Sequence, residues 1–167
     1  PTRRSSDLAS TGNLTVNAEP CDVGVLLDQT LGEYGEKLSA AGLEPVLTKP
    51  EKPVIIMADG RHMWRIFDNL LNNICKYSQR GTRVYLEVCE RDGKAVVTFR
   101  NISSRQLNIS SDELMERFVR GDSSRNTEGS GLGLNIAQSL AQLQKGTMEL
   151  TVDGDLFKVT LTFDVVK

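Results

Sequence analysis

Apolar residues recur every three to four positions from Val23 onward, with Val23, Leu26, Leu27, Leu31, Tyr34 and Leu38 on one helical face. The spacing predicts a helix over Val23 to Ala41, which Gly42 closes. Two strand-like runs follow, Leu43 to Leu47 and Val54 to Ala58, separated by a turn containing Pro50 and Pro53. The strongest helical period spans Arg61 to Tyr77, with Trp64, Phe67, Leu70, Leu71 and Ile74 as its apolar face and Asp59 at the N-cap. Arg83 to Glu90 and Lys94 to Arg100 flank Asp92-Gly93, a hairpin signal. A second hairpin pairs Thr147 to Val152 with Leu156 to Phe163, turning near Asp153-Gly154. Leu14 to Val16 reads as one more short strand, and Gly131 to Gln144 as the last helix. The stretch from Ile102 to Gly129 is polar and irregular, longer than a plain connection needs, and reads as a lid. These elements predict an α/β (α+β) fold, a two-layer sandwich with helices on one face of a mixed, five-stranded-type sheet.

Composition narrows the function classes. The 167 residues suffice for one domain with a real core, and 39% hydrophobic with 25% charged residues is ordinary for a soluble globular chain. A net charge of −2 supplies no basic field for nucleic acid. The three cysteines, Cys21, Cys75 and Cys89, are widely spaced and form no CxxC, against both a disulfide framework and a zinc site. No run approaches the roughly 18 apolar residues of a spanning helix, so no direct membrane contact is expected of this chain. Residues 1–10 read as linker or non-native sequence and 11–167 as the domain, the C-terminal piece of something longer.

Two constellations carry candidate chemistry. On the helical wheel Asn69, Asn73 and Lys76 form a stripe expected opposite the apolar face. Asparagine is a weak helix former, and a merely solvated face would more often use Glu, Lys or Gln. A carboxamide oxygen can join a Mg²⁺ shell without cancelling the ion's charge, and a lysine can meet a phosphate. Gly129-Ser130-Gly131-Leu132-Gly133-Leu134 opens the last helix, where glycines let backbone amides approach phosphate. Its spacing is not the dinucleotide GxGxxG, and no GK[ST] is present. In the loop before it, Phe118 is an anchor, while Arg120 or Arg125 is placed to meet a polyphosphate.

Together these motifs bring a family into view. Asn69-Leu70-Leu71-Asn72-Asn73-Ile74-Cys75-Lys76-Tyr77-Ser78 resembles the N box of bacterial sensor histidine kinases, Phe118 with Arg120 their F box, and Gly129 to Leu134 their G2 box. Order and spacing agree for all three, over roughly Thr11 to the end. The resemblance implies a Bergerat-type ATP-binding catalytic domain of the GHKL superfamily, shared with gyrase and heat-shock chaperone ATPases. It implies that Asn73 chelates Mg²⁺, that Asn69 supports and Lys76 contacts the phosphates, that Tyr77 lines the site, and that Gly129, Gly131 and Gly133 shape the lid. The implied partners are ATP, a histidine-containing dimerisation domain of the same protein and a response regulator. The implied location is a cytoplasmic domain of a parent anchored in the bacterial inner membrane.

One position departs from the family pattern. The G1 box should place an adenine-binding aspartate, then glycines, after the strand ending at Phe99; here Arg100-Asn101-Ile102-Ser103-Ser104 stands instead. A carboxylate only accepts hydrogen bonds, whereas the Asn101 carboxamide both accepts and donates and can turn. Asn101 is therefore expected to separate ATP from GTP less sharply than an aspartate would. His62, the only histidine, opens the N-box helix, outside the family's acceptor helix, and reads as a helix-terminal surface residue. The alternative function is a degenerate or ATP-hydrolysing GHKL module without phosphotransfer. A hydrolase of the gyrase type would carry a general-base glutamate where this chain has Asn69.

Overall fold

The computed structural model describes residues 15–104 and 132–166. Strand β1 (Glu19–Asp22) leads into α1 (Val23–Glu33), α2 (Gly35–Ala40), β2 (Leu43–Thr48), β3 (Ile55–Ala58), α3 (Gly60–Tyr77), β4 (Thr82–Arg91), β5 (Lys94–Ile102), α4 (Leu132–Leu143), β6 (Thr147–Asp153) and β7 (Leu156–Asp164). A five-stranded sheet runs β2-β4-β5-β7-β6, with β2 parallel to β4 and the other pairs antiparallel. A separate antiparallel pair joins β1 to β3, and an Ile56–Val165 bridge ties it to the chain just after β7.

Alternation along the long strands puts Val84, Leu86 and Val88, then Ala95, Val97 and Phe99, then Val159, Leu161 and Phe163 on one buried side. Helix α3 covers it with Met63, Ile66, Phe67, Leu70, Leu71 and Ile74. Phe67 meets Phe99 across the layers at 5.8 Å between ring centroids, tilted by 40°. Leu134, Ala137, Leu140 and Ala141 of α4 complete this layer. The expected two-layer sandwich with a mixed five-stranded sheet is the fold observed.

The hairpin expectation holds in detail. Asp92 and Gly93 have φ of 54° and 76°, and Arg91 pairs with Lys94, so a two-residue turn with both central residues left-handed joins β4 to β5. Three expectations need correction. No regular element forms over 15–18 and Leu14 lies outside the described residues; the strand is Glu19–Asp22, defined by its distant partner β3. The helix expected over Val23 to Ala41 is two, broken at Tyr34, whose backbone N–H bonds to both Thr30 and Leu31 carbonyls. Gly32 and Gly35 flank the break, and the buried Tyr34 hydroxyl donates to Asp68 of α3. Finally, Trp64 is not a core residue: it is 41% exposed and donates from Nε1 to Glu33 at 2.9 Å, while Met63 and Ile66 fill the inner face.

The link from α4 into β6 is tight. A Cβ on Gly146 would stand 2.3 Å from Phe163 Cε1 and 2.8 Å from the Thr162 carbonyl oxygen. Gly146→Ala should lower stability by about 1–3 kcal/mol through overpacking against backbone. Urea unfolding reads this as a lower midpoint at unchanged slope; an unchanged midpoint would show that Phe163 yields freely.

Candidate functional site

The C-terminal half of α3 presents the candidate polar residues along one flank of its apolar face. Asn73 lies two turns beyond Ile66, hence nearly on the same line of the helix, and is only 7% exposed. The stripe is therefore not opposite the core, as the wheel suggested, but at its edge. Asn69, one turn earlier, is half-buried, and its Nδ2 is buried without a hydrogen-bond partner among the described residues. An unmet buried amide costs about 1–3 kcal/mol. Such a group is rare in a plain core and normal where a ligand completes the pairing. Lys76 and Tyr77 are exposed at the end of the helix.

Strand β5 is fastened to that helix end by backbone bonds. Gln79 N–H donates to Ile102 at 2.8 Å, Ser104 N–H to Tyr77 at 2.9 Å, and Ser78 bridges Ser103. This brings Asn101, on the same side of β5 as Phe99, against the helix terminus. Asn101 is 4% exposed, and its Nδ2 donates to Ser78 Oγ at 2.8 Å. The amide nitrogen is thus engaged by a neighbour on another element. Ser78 is the residue that sequence reasoning passed over: it was visible only as the last letter of the N box, and its partner lies on another element.

Leu132 and Gly133 open α4, and Leu134 packs in the core. Phe118, Arg120, Arg125, Gly129 and Gly131 lie outside the described residues. The structure thus places Asn69 and Asn73 on the C-terminal half of α3 and Asn101 against the end of that helix.

The other end of α3 is a polar clasp. Asp59, 3% exposed, caps the helix by accepting from Arg61 N–H at 3.0 Å, and its second oxygen accepts from Asn17 N–H at 3.0 Å. Its own N–H donates to Gln144 Oε1 at 2.7 Å. His62, expected as a surface residue, instead puts Nε2 2.8 Å from the Thr15 carbonyl and 3.8 Å from Asp59. Burial alone would raise the Asp59 carboxyl, but hydrogen bonds from Asn17 and Arg61, with the nearby His62 and Arg61 charges, outweigh it and hold it low. Among the described residues no group of three or more His, Cys, Asp or Glu could hold a metal, and no helix is long and apolar enough to cross a membrane.

A mixed sheet covered on one side by helices, with buried asparagines where helix α3 meets the end of β5, makes this a two-layer α/β sandwich with its candidate site at that end of the helix. Residues 58–167 match the histidine kinase-, DNA gyrase B-, and HSP90-like ATPase family, and the chain belongs to it. Among curated relatives, the probable sensor protein PcoS of Escherichia coli is 38% identical over 115 residues, 66% of this chain and 24% of that protein. The signal transduction histidine-protein kinase BaeS of Escherichia coli is 28% identical over 165 residues, 89% of this chain and 35% of that one. The chain thus spans about a quarter to a third of these relatives' length. The fold is shared with the Acinetobacter baumannii histidine kinase AdeS at a TM-score of 0.77 and 20% identity, over 99% of this chain and 76% of that one. It is shared equally with the nucleotide-free catalytic domain of histidine kinase ThkA, TM-score 0.77 at 15% identity, over 89% and 95% of the two chains.

Because the folded Asp59 carboxyl lies below its ordinary value of 3.8, it contributes stability that is present above that value and lost as pH falls through the depressed one. Urea titrations from about pH 7 down to about pH 3 should show this loss below about pH 4. Asp59→Asn should flatten that part of the slope and cost about 1 kcal/mol at neutral pH, because a carboxamide has one oxygen and can accept only one of the two bonds from Arg61 and Asn17 N–H. An identical pH slope in the variant would remove Asp59 as its source.

Proposed function

We propose that this chain is the ATP-binding catalytic domain of a sensor histidine kinase, which holds ATP with Mg²⁺ and presents the γ-phosphoryl group to a histidine on a dimerisation domain. The observation that carries the reading is the half-buried Asn69, with its unmet Nδ2, one turn from the buried Asn73 in a chain of this ATPase family. That pair fits the implied group: a neutral carboxamide oxygen of Asn73 suits a hard cation. The Asn69 amide supplies a donor that nothing among the described residues uses. Bound Mg²⁺ would supply charge neutralisation at the phosphates. Asn73 would hold the ion, Asn69 and Lys76 would contact phosphate, Tyr77 would flank the nucleotide, and Asn101 would meet the base. Phe118, Arg120, Arg125 and the glycine turn Gly129, Gly131 and Gly133, with Leu132, would close over it, as the family motifs suggest, whereas Leu134 anchors the start of α4 in the core.

The chain's own groups favour transfer to a protein acceptor over hydrolysis. Asn69 stands where a hydrolase of this superfamily would place a general base, and a carboxamide cannot take a proton from water. His62 is held by the Thr15 carbonyl beside Asp59, in the first turn of α3 and two turns before Asn69. The acceptor histidine belongs to the proposed parent protein and a response regulator is that protein's partner; its sensor-kinase character would place this domain on the cytoplasmic side of a membrane-anchored chain.

Calorimetry with ATP should show binding that strengthens with Mg²⁺, and Asn73→Ala should remove most of that metal-dependent part, about tenfold or more. Equal affinity in both proteins, with and without Mg²⁺, would remove the basis of the reading. With γ-labelled ATP the chain alone should neither label itself nor turn over appreciably, and should label an added dimerisation domain. Robust label on His62 would overturn the assignment of the acceptor.

A further inference from the structure

We propose that Ser78 is a specificity-determining positioning residue: by holding the Asn101 carboxamide in one orientation, it makes an asparagine read the nucleobase as an acceptor-only group. The inference rests on the proposed contact between Asn101 and the base. Three observations carry it. Asn101 is 4% exposed and its Nδ2 donates to Ser78 Oγ at 2.8 Å. Ser78 is itself buried and is the C-cap of α3, its N–H donating to the Ile74 carbonyl at 3.1 Å. The strand carrying Asn101 is locked to that helix end by the Gln79–Ile102 and Ser104–Tyr77 bonds, so the two side chains cannot drift apart together with their backbones.

A serine hydroxyl can pair with either half of a carboxamide, so contact alone would not choose an orientation. The place of the contact does. Asn101 abuts the C-terminal end of α3, where the aligned peptide dipoles leave the helix partially negative. That end attracts the amide NH₂ and repels the amide oxygen. With Nδ2 committed to Ser78, Oδ1 is the atom left to meet a base. It can accept from the exocyclic amine of adenine, and it faces lone pair to lone pair the oxygen that guanine carries at the same ring position. The family's carboxylate reaches the same discrimination through charge; here a neutral pair reaches it through a fixed orientation. The departure at Asn101 is therefore compensated by its neighbour, and ATP over GTP is retained.

The test is competition binding of ATP and GTP, both with Mg²⁺, to the native chain, Ser78→Ala, Ser78→Thr, Asn101→Asp, Asn101→Ala and the Ser78→Ala/Asn101→Asp pair. Loss of one neutral hydrogen bond should lower the ATP-to-GTP affinity ratio of Ser78→Ala about three- to tenfold. Ser78→Thr, which keeps the hydroxyl, should keep the ratio. In the Asn101→Asp background the serine should no longer matter, because a carboxylate accepts whichever way it turns; a merely structural effect of Ser78→Ala would persist there. If Ser78→Ala melts too early to measure, Ser78→Cys, a weak acceptor of similar size, should give an intermediate ratio. An unchanged ratio in Ser78→Ala alongside a collapsed one in Asn101→Ala overturns the positioning role while leaving the base contact standing. Unchanged ratios in Ser78→Ala and Asn101→Ala alike overturn the base contact itself, and this inference with it.

Discussion

The placement of α3 on the sheet is the constraint on which the site depends, and it is set by aromatic packing at the centre of the molecule. Phe67 and Phe99 are both buried and meet tilted at 5.8 Å between ring centroids. Truncating either ring would cost of order 3–5 kcal/mol, a large share of what a domain of this size has in hand. The same contact sets the candidate site, because Asn69 and Asn73 follow Phe67 on the helix and Asn101 follows Phe99 on the strand. A rotation of α3 that moved Asn73 outward would separate the rings.

Around that centre, polar ties set the helix ends. Asp59 gathers Asn17, Arg61, His62 and Gln144 at one end of α3, joining the start of the described chain, the helix and the segment after α4. Midway, the Tyr34 hydroxyl donates to Asp68, and burial together with this bond raises the phenol well above its ordinary value, so it stays protonated as the donor. At the other end Ser78 and its neighbours hold β5. Each tie crosses between elements distant in sequence, so each resists sliding of α3 along the sheet while the apolar layer resists separation.

The asparagines show how one residue type takes different roles from its surroundings. Asn69 keeps an amide nitrogen buried and unmet among the described residues, a cost that a ligand would relieve. Asn101 has its nitrogen satisfied by Ser78 and is thereby oriented. Neither difference follows from the residue's identity; both follow from what the neighbouring element brings within reach.

By itself the sequence determined the elements and the class. Helical period over α3, alternation over β4, β5 and β7, and Asp92-Gly93 at the tight turn are local properties, decided by backbone geometry over a few residues, and they survive folding. The ordered N, F and G2 motifs likewise pointed to the family without any coordinates. Tertiary structure decided what depends on distant partners. The strand Glu19–Asp22 exists because β3 lies beside it, the break at Tyr34 because its hydroxyl finds Asp68, and the exposure of Trp64 because the sheet meets Met63 and Ile66 instead. Asn73 lies inside the edge of the covered arc of α3, and a helical wheel marks an arc's direction but not its width. The width is set by how far the sheet and α4 reach around the helix, and the pairing of Ser78 with Asn101 by where β5 ends against it.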